Sequence, residues 1–478
     1  MLAIFAAGCG GDDDFAVTLL RSPVVAEDPL AGVDTLELRL PTGVTRVPWH
    51  DRTTTGYKAH LPSVASGAQL TVAALSGGQV VAAGRSVPLA AGTHAATVYL
   101  GLVDQFTSTP TAPALADARF GATATLLGDG RVLVVGGATA GGPRTPDLTA
   151  LSAAVTLYDP ARGSFSDVGS GSFAARIFHA AVATDGGAFI FGGQGANGGL
   201  SDIVRFDATA NTLSTMGTLP SPRWAAASAA LGGNDDGLLV IGGYTDATTL
   251  ATDALVLRAG AVAATVPLPA PRAFATVVTL ANGDVLVSGG LDVTGAALAD
   301  ALVYSASANA FQTLTATGDS RATMLSARVG HSATLLGDGT ALIYGGSNGQ
   351  GSMALPEVYS PSLSGFVTVG PFNLQERERQ VAVTLADGSA LIFGGESAPS
   401  TAAAQVAVRQ LLRAFPTAGA LELLLDYPPP PERADAVGLV LRDGSVFFAG
   451  GAVGPDRTLA GGAQLLVPCF DDCLLATP

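Results

Sequence analysis

The chain has 478 residues and a formal net charge of −15, with 48% hydrophobic and 13% charged residues. This length can bury at least one large core and predicts more than one domain. The acidic balance argues against a nucleic-acid partner, and no stretch approaches the roughly 20 apolar residues that a transmembrane helix needs.

The first residues resemble the end of a bacterial lipoprotein signal, although the basic segment expected at its start is missing. An apolar run and small residues precede Cys9, and glycines and aspartates follow it. The resemblance implies lipidation of Cys9 after cleavage, and Gly10 behind the cysteine favours the outer membrane. Residues 1–14 are therefore interpreted as a signal remnant and flexible tether, with an ordinary apolar N-terminus as the alternative.

Residues 15–104 contain short alternating or β-rich segments that are separated by turns such as Ser76-Gly-Gly78. The predicted strands are Phe15–Leu20, Val33–Leu40, Gln69–Ala74, Gln79–Ala83 and Ala95–Leu100. Because no helical periodicity interrupts them, this domain is expected to be a small β-sandwich of Ig-like or fibronectin-like architecture. Its histidines 50, 60 and 94 are scattered and show no metal-ligand spacing.

The rest of the chain, residues 105–478, repeats one pattern seven times: a turn ending in glycine, a short apolar run and two glycines. The double glycines are Gly136-Gly137, Gly192-Gly193, Gly242-Gly243, Gly289-Gly290, Gly345-Gly346, Gly394-Gly395 and Gly450-Gly451. An Asp-Gly turn predicts a two-residue hairpin, because these residues adopt positive φ angles at low cost. The glycine pairs predict close backbone packing, and each copy reads as four antiparallel strands.

This pattern resembles the kelch repeat, whose length is about 50 residues. The resemblance rests on the double glycines, on Arg-x-x-His at Arg176–His179 and Arg328–His331, and on Tyr-Asp-Pro at Tyr158–Pro160. It implies an all-β protein in which a seven-bladed kelch-type β-propeller follows the β-sandwich. The ring would close through residues 463–468 with 473–476, or through residues 106–110 as an outer strand.

An arginine begins the innermost predicted strand of every copy. The seven are Arg119, Arg176, Arg223, Arg272, Arg328, Arg377 and Arg433. A ring of guanidinium groups at the channel mouth could hold a carboxylate or phosphate through paired hydrogen bonds, and kelch domains that recognise acidic peptides use arginines at matching positions. The alternative is a structural role in which each arginine bonds carbonyls or an acid of the next blade. Trp224, beside Arg223, is a further candidate ligand contact.

Two cysteines near the C-terminus, Cys469 and Cys473, are predicted to form a small-loop disulfide, with two free thiols as the alternative. Two thiols without a nearby histidine make a poor zinc site. The copper site of the galactose oxidase family, in which kelch propellers also occur, needs a tyrosine crosslinked to a cysteine in the propeller core, and the cysteines here are terminal. No metal or other cofactor is predicted.

Sequence motifs of nucleophilic elbows, zinc proteases and phosphate loops are absent. The chain is therefore expected to be a non-enzymatic, monomeric lipoprotein of the cell envelope, either periplasmic or surface-exposed. Its propeller loops and channel mouth would bind a protein or an acidic ligand. The alternatives are a propeller hydrolase or lyase that acts on an acidic glycan, and a structural envelope protein with no small ligand.

Overall fold

The computed structural model describes residues 14–22, 24–49, 58–60, 64–103, 105–109, 118–142, 145–169, 173–231, 237–315, 317–318, 320–370, 374–397, 406–408, 410–417, 420–424, 433–453, 458–459 and 461–468. The fold of these residues is all-β, and their only helices are the short 3-10 turns Val25–Glu27 and Pro361–Leu363. No helix in the described ranges is long and apolar enough to cross a membrane. Cys9, Cys469, Cys473 and His50 lie outside the described residues.

The N-terminal unit consists of two sheets that share one apolar core. The three-stranded sheet has the order Lys58–His60, Asp14–Leu20 and Ala95–Tyr99, and its last two strands are parallel. The five-stranded sheet has the order Gly43–Pro48, Thr35–Leu40, Thr71–Ser76, Gln79–Arg85 and Gly101–Leu102. No strand was predicted at Gly43–Pro48, an edge strand with mostly exposed side chains, because a strand without a buried face has no strong apolar alternation.

The repeats form seven four-stranded antiparallel sheets, called repeat sheets 1 to 7 here. Sheet 1 comprises Thr123–Leu126, Val132–Val135, Val155–Asp159 and Ser164–Asp167. Sheet 2 comprises Ala180–Thr184, Gly187–Phe191, Asp202–Asp207 and Thr212–Thr218. Sheet 3 comprises Ala227–Ala230, Leu238–Ile241, Asp253–Arg258 and Ala261–Pro267. Sheet 4 comprises Thr276–Thr279, Val285–Ser288, Ala301–Ser305 and Ala310–Thr313.

The remaining three repeat sheets complete the set. Sheet 5 comprises Val329–Leu335, Ala341–Ser347, Glu357–Ser360 and Gly365–Thr368. Sheet 6 comprises Val381–Thr384, Ala390–Phe393, Leu412–Thr417 and Ala420–Leu424. Sheet 7 comprises Val437–Val440, Val446–Ala449, Ala463–Leu466 and Phe106–Ser108. Four two-stranded hairpins extend the loops after the second strands: Gly141–Gly142 with Thr145–Pro146, Gln194–Gly195 with Gly198–Gly199, Glu396–Ser397 with Val406–Ala407, and Ala452–Val453 with Thr458–Leu459.

The repeat sheets follow one another in a closed, propeller-like order. The first strand of each sheet contacts the first strand of the next, and the first strand of sheet 7 contacts that of sheet 1. Each neighbouring pair of sheets, including sheets 7 and 1, shares a hydrophobic cluster. Because the second strand of each sheet is buried on both faces, a single sheet leaves apolar surface that only its two neighbours can cover.

Closure uses the N-terminal alternative. Phe106–Ser108 pairs antiparallel with Ala463–Leu466 as the outer strand of sheet 7. The Phe106 ring packs 5.0 Å from Phe393 and 5.7 Å from Phe448, measured between ring centroids. A strand from before the repeats is therefore held in the same sheet as the last repeat.

The hairpin between the first two strands of sheet 5 differs from the predicted two-residue turn, whereas in sheet 2 Thr184 pairs with Gly187 around two residues. In sheet 5 the Gly339 N–H donates to the Leu336 carbonyl, and only Gly339 of the Asp338-Gly339 pair has a positive φ angle, +83°. This is a type I turn followed by a left-handed glycine. Asp338 does not supply a positive φ angle; its carboxylate accepts the Thr340 N–H at 3.0 Å.

The N-terminal unit packs against repeat sheets 7 and 1. Tyr99 belongs to the same hydrophobic cluster as Val132 and Phe447, and its hydroxyl lies within hydrogen-bond distance of Thr107. The Ser108 N–H donates to the Glu27 carboxylate at 2.7 Å. The N-terminal unit is thus joined to the closing strand by both apolar and polar contacts.

Candidate functional site

The seven arginines and the seven double glycines form one continuous contact system, called the arginine seam here. The second glycine of each pair donates its N–H to the carbonyl of the arginine in the next copy, and Gly451 donates to Arg119 at 2.8 Å. The other six bonds are 2.7 to 3.0 Å long and run from Gly137, Gly193, Gly243, Gly290, Gly346 and Gly395. The seam therefore links every copy to the next by backbone hydrogen bonds.

The glycines of the seam have no room for a side chain. A Cβ on Gly192 would lie 2.1 Å from the Arg223 carbonyl oxygen, and a Cβ on Gly242 would lie 2.2 Å from that of Arg272. Both glycines also have positive φ angles, +61° and +57°, which L-residues adopt at a cost. The double glycine therefore repeats because the next arginine's backbone occupies the space in front of it.

The guanidinium groups of the seam are bound within their own copies. Arg176 donates to the Gly192 carbonyl at 2.9 Å and pairs with Asp202 at 2.6 Å. Arg328 donates to the Gly345 carbonyl at 3.0 Å and pairs with Glu357 at 2.5 Å, where both side chains are fully buried. Burial lowers the pKa of Arg328 and of Arg377, and it lowers the pKa of Arg433 to about 10.

The structure places the predicted arginine ligands away from the open cavity. Six of the seven arginines are at most 4% exposed, and Arg433 is half-buried. The described cavity at this end of the repeat sheets is lined by Trp224 but by none of the seven arginines. Ligand binding by the arginine side chains stays a prediction, and their burial favours the structural alternative. Their acids come from the same copy rather than from the next one.

The residue two positions after each seam arginine has a left-handed backbone conformation. These residues, called the mouth ring here, are Gly121, Phe178, Ala225, Phe274, Gly330, Arg379 and Asp435, with φ angles from +50° to +68°. Backbone bonds connect neighbours in the ring: Ala225 donates to Phe178, Phe274 to Ala225, and Asp435 to Arg379. Five of the seven are not glycine, although non-glycine residues in this conformation cost energy and often occur at functional sites.

The mouth ring surrounds an open cavity of about 880 Å³, a volume in the range of small-molecule sites. Six of its seven residues, all but Ala225, line this cavity. Loops that follow the double glycines extend the wall through Gln194, Tyr244 and residues 347–349. In the first five copies the cavity wall is thus built from two parts of the repeat that are separated in sequence, whereas the last two copies line it only through Glu378, Arg379 and Asp435.

One side of the cavity is an aromatic wall made of Phe178, Trp224, Tyr244 and Phe274. Trp224 and Tyr244 stack with ring centroids 4.3 Å apart and an interplanar angle of 20°. Phe274 meets Phe178 edge-on at 5.2 Å and Trp224 edge-on at 6.3 Å. All four rings are half-buried, so each still presents surface to the cavity.

The other side of the cavity is a charged wall made of Glu378, Arg379 and Asp435. The Arg379 guanidinium lies 3.1 Å from Asp435 and 3.9 Å from Glu396. Burial opposes the charge on Arg379, but Asp435, Glu378 and Glu396 outweigh it and raise the Arg379 pKa. The three residues of this wall carry two negative charges and one positive charge, so the wall holds no surplus of positive charge for an anion.

His179 and His331 lie three positions after their seam arginines and belong to the packing between sheets. The His179 Nε2 atom lies 2.8 Å from the Thr123 hydroxyl, and the His331 Nε2 atom lies 2.9 Å from the Ser288 hydroxyl. Burial lowers the pKa of both imidazoles to about 3, and the neighbouring seam arginines add to this effect. Both rings are therefore neutral at physiological pH.

Trp224 was predicted from the sequence as a ligand contact, but none of the mouth-ring residues was. The position two residues after each arginine holds five different residue types, so the period of the repeat does not mark it. Its only signal is the glycine at 121 and 330, which hints at a left-handed backbone. Within the described ranges, no three histidine, cysteine or acidic side chains cluster as metal ligands. Comparisons of the chain with models of protein families and with curated proteins gave no match.

Proposed function

We propose that the chain is a seven-bladed kelch-type β-propeller on an Ig-like or fibronectin-like sandwich, and that it is a non-enzymatic binding protein. Support for seven blades comes from the seven copies of the repeat and the closed order of the repeat sheets. Support for the sandwich comes from the two sheets around one core. In this proposal each repeat sheet is a blade, and the mouth ring surrounds the opening of the central channel.

The cavity inside the mouth ring carries the functional proposal. The seam holds the backbone of the mouth ring in place through bonds that are alike in all copies, whereas the side chains of the ring differ from copy to copy. A rigid frame with variable side chains is the usual design of a binding site. Five non-glycine residues in a left-handed conformation add support, because such strain is retained where the position of a side chain matters.

The charges and rings that line the cavity limit the classes of ligand that fit it. An acidic ligand, expected from the arginines, would meet two carboxylates and a guanidinium that already pairs with one of them. A protein segment or small molecule with apolar surface and hydrogen-bonding groups fits the two walls better. The alternative of a hydrolase or lyase would rest on Glu378 and Asp435, and the Asp435 carboxylate is already held in an ion pair with Arg379.

The binding proposal is tested by blocking the cavity. Ala296 is exposed on its wall, and Val293, three residues earlier in the same loop, is 67% exposed but does not line it. We expect at least one ligand class among neutral oligosaccharides, acidic oligosaccharides and short peptides to raise the Tm of the wild type and of Val293→Trp, but not of Ala296→Trp. If no class raises the Tm of the wild type, or if Ala296→Trp responds equally, the cavity is not the binding site.

We further propose that Cys9 carries a lipid that anchors the protein in the cell envelope, at the outer membrane. The support is the sequence around Cys9 together with the fixed attachment of the sandwich to the propeller, which would let the sandwich act as a stalk. Full-length Cys9→Ser should leave the membrane fraction and appear in the soluble fraction. Retention of Cys9→Ser in washed membranes would refute lipid anchoring.

A further inference from the structure

The aromatic wall and the charged wall face one cavity and make different demands on a ligand. The aromatic wall offers ring surface from Trp224 and Phe274. The charged wall offers hydrogen-bond donors on Arg379 and acceptors on Asp435, which lie 3.1 Å apart as an ion pair. A ligand that uses both walls must therefore have a flat apolar face and also closely spaced hydroxyl or amide groups.

Three ligand chemistries fit this arrangement poorly. A carboxylate or phosphate would be repelled by the two carboxylates and would have to displace Asp435 from Arg379. A cation would find no aromatic cage, because the four rings contact each other at centroid distances of 4.3 to 6.5 Å and enclose no space for it. A purely apolar ligand would cover the Arg379–Asp435 pair without replacing its water, which costs free energy.

A sugar ring meets both demands. Its C–H face is apolar and can lie against an aromatic ring, while the hydroxyls at its rim can donate to the Asp435 carboxylate and accept from the Arg379 guanidinium. Gln194 and Asn348 add amide groups to the same cavity. The cavity of about 880 Å³ exceeds the space that a single sugar ring fills, so it has room for a short chain of them.

We propose that the cavity is a binding site for a neutral oligosaccharide. In this proposal the rings of Trp224 and Phe274 stack against sugar units, and Arg379 with Asp435 selects the hydroxyl pattern. The proposal rests on the proposed binding function and specifies its ligand. Because the backbone bonds of the mouth ring hold Phe274 and Asp435 in position before binding, little ordering is left to oppose it.

Trp224 allows a direct test, because Trp49 is the only other tryptophan in the chain. Trp49 is 6% exposed in the core of the N-terminal unit, so Trp49→Phe leaves Trp224 as the single tryptophan, whose emission is separated from that of tyrosine by excitation at a wavelength that tyrosine does not absorb. The probes are cellotetraose, maltotetraose, chitotetraose, tetragalacturonate as the acidic counterpart, and tetra-alanine. We expect a saturable change of Trp224 fluorescence with at least one neutral tetrasaccharide at millimolar concentration or below, and none with tetragalacturonate.

Two cavity variants and two matched controls in the Trp49→Phe background test whether the sugar contacts both walls. Phe274→Leu and Asp435→Asn should each weaken the Kd for the responding sugar at least tenfold. Phe311→Leu on an outer strand and Asp338→Asn in the hairpin at the opposite end of sheet 5 should change the Kd less than twofold. Thermal unfolding of each variant confirms that it is folded.

The outcomes distinguish failure of the oligosaccharide proposal from failure of the proposed binding function on which it rests. If tetragalacturonate or tetra-alanine changes the Trp224 signal and no neutral sugar does, the oligosaccharide proposal is overturned while the binding function stands. If no probe changes the signal and none raises the Tm, both are overturned. If Phe274→Leu and Asp435→Asn bind the sugar like their controls, the sugar binds elsewhere and the cavity proposal fails.

Discussion

Two positions in each repeat, only two residues apart, obey opposite rules. The seam position is arginine in all seven copies, whereas the mouth-ring position holds glycine, phenylalanine, alanine, arginine or aspartate. At the seam, both the carbonyl and the guanidinium of the arginine are bound to other parts of the repeats. At the mouth ring the backbone bonds recur between neighbours, whereas the side-chain contacts differ from copy to copy, such as the Arg379–Asp435 ion pair and the Phe178–Phe274 ring contact. Repetition therefore marks the frame, and variation beside it marks the candidate site.

The largest expected effect comes from removing a seam arginine. Arg328→Met would leave the fully buried Glu357 carboxylate without its closest guanidinium, although Arg321 still contacts it at 2.7 Å. Removing one partner of a buried ion pair typically costs about 3–5 kcal/mol. We therefore expect the free energy of unfolding of Arg328→Met, measured by chemical denaturation, to be about 4 kcal/mol lower than that of the wild type.

The control for this variant is Arg131→Met. Arg131 pairs with Asp129 beside a hairpin at the other end of its sheet, where the side chains are 21% and 40% exposed. A partly exposed pair contributes about 1 kcal/mol or less, and the hydrogen bond that Arg131 donates to Asn211 at 2.7 Å contributes about 1 kcal/mol more. Equal losses of stability in the two variants would remove the distinction between seam arginines and surface arginines.

The next largest effect is expected at the seam glycines. Gly192→Ala would place a Cβ 2.1 Å from the Arg223 carbonyl oxygen, so the contact between sheets 2 and 3 would have to open, at a cost of about 3 kcal/mol. Gly283→Ala is the matched control, because Gly283 has a φ angle of +85° with nothing within 4 Å of its Cβ position. The free energy of unfolding of that control should fall by only about 1 kcal/mol in the same denaturation experiment. Similar losses in the two variants would mean that the positive φ angle, and not contact with the next copy, requires glycine at the seam.

A smaller effect is expected from the buried histidines as the pH falls. An imidazole in the unfolded chain titrates near 6.5, whereas burial lowers the pKa of folded His331 to about 3. Between these values the unfolded state binds a proton that the folded state does not, so stability is lost as the pH falls. For one histidine this amounts to about 1.6 kcal/mol between pH 6.5 and 5.

His331→Gln isolates this contribution, because Gln380 occupies the equivalent position in the next copy. The free energy of unfolding of the wild type should fall by about 1.6 kcal/mol more than that of His331→Gln over this pH range. The exposed His94 provides the control, and His94→Gln should follow the wild type. If the free energies of unfolding of the wild type and His331→Gln change in parallel with pH, His331 is protonated equally easily in the folded and the unfolded state.

The sequence predicted the scaffold better than the site because repetition and packing have the same cause. The double glycines and the arginines repeat because each copy packs against the next through the same backbone contacts. This regular repeat allowed the four-stranded unit to be predicted from the sequence. The outer strand at Phe106–Ser108 was one of two alternatives, because pairing between chain ends leaves no local pattern. The turn type was wrong for a similar reason: Asp338-Gly339 is compatible with two hairpins, and the flanking strands decide between them.

The mouth ring could not be read from the sequence. Phe178 and Phe274 have φ angles of +55° and +53°, which no local propensity of phenylalanine favours. Their backbone is held by hydrogen bonds to neighbouring copies, so the conformation exists only once the ring is assembled. Only then do residues from different copies, such as Trp224 and Asp435, face one cavity.

The smallest effect is expected at the mouth ring itself, with Gly330→Asn. Gly330 has a φ angle of +68°, and the nearest atom to its Cβ position, the Arg379 Cγ atom, is 3.4 Å away, an ordinary van der Waals distance. Asparagine tolerates the left-handed conformation better than most residues, and non-glycine residues already occupy five of the seven equivalent positions. The loss of stability should therefore stay below about 1 kcal/mol. A loss as large as that of Gly192→Ala would mean that the mouth-ring position is as constrained as the seam, and that its variation between copies does not mark a site.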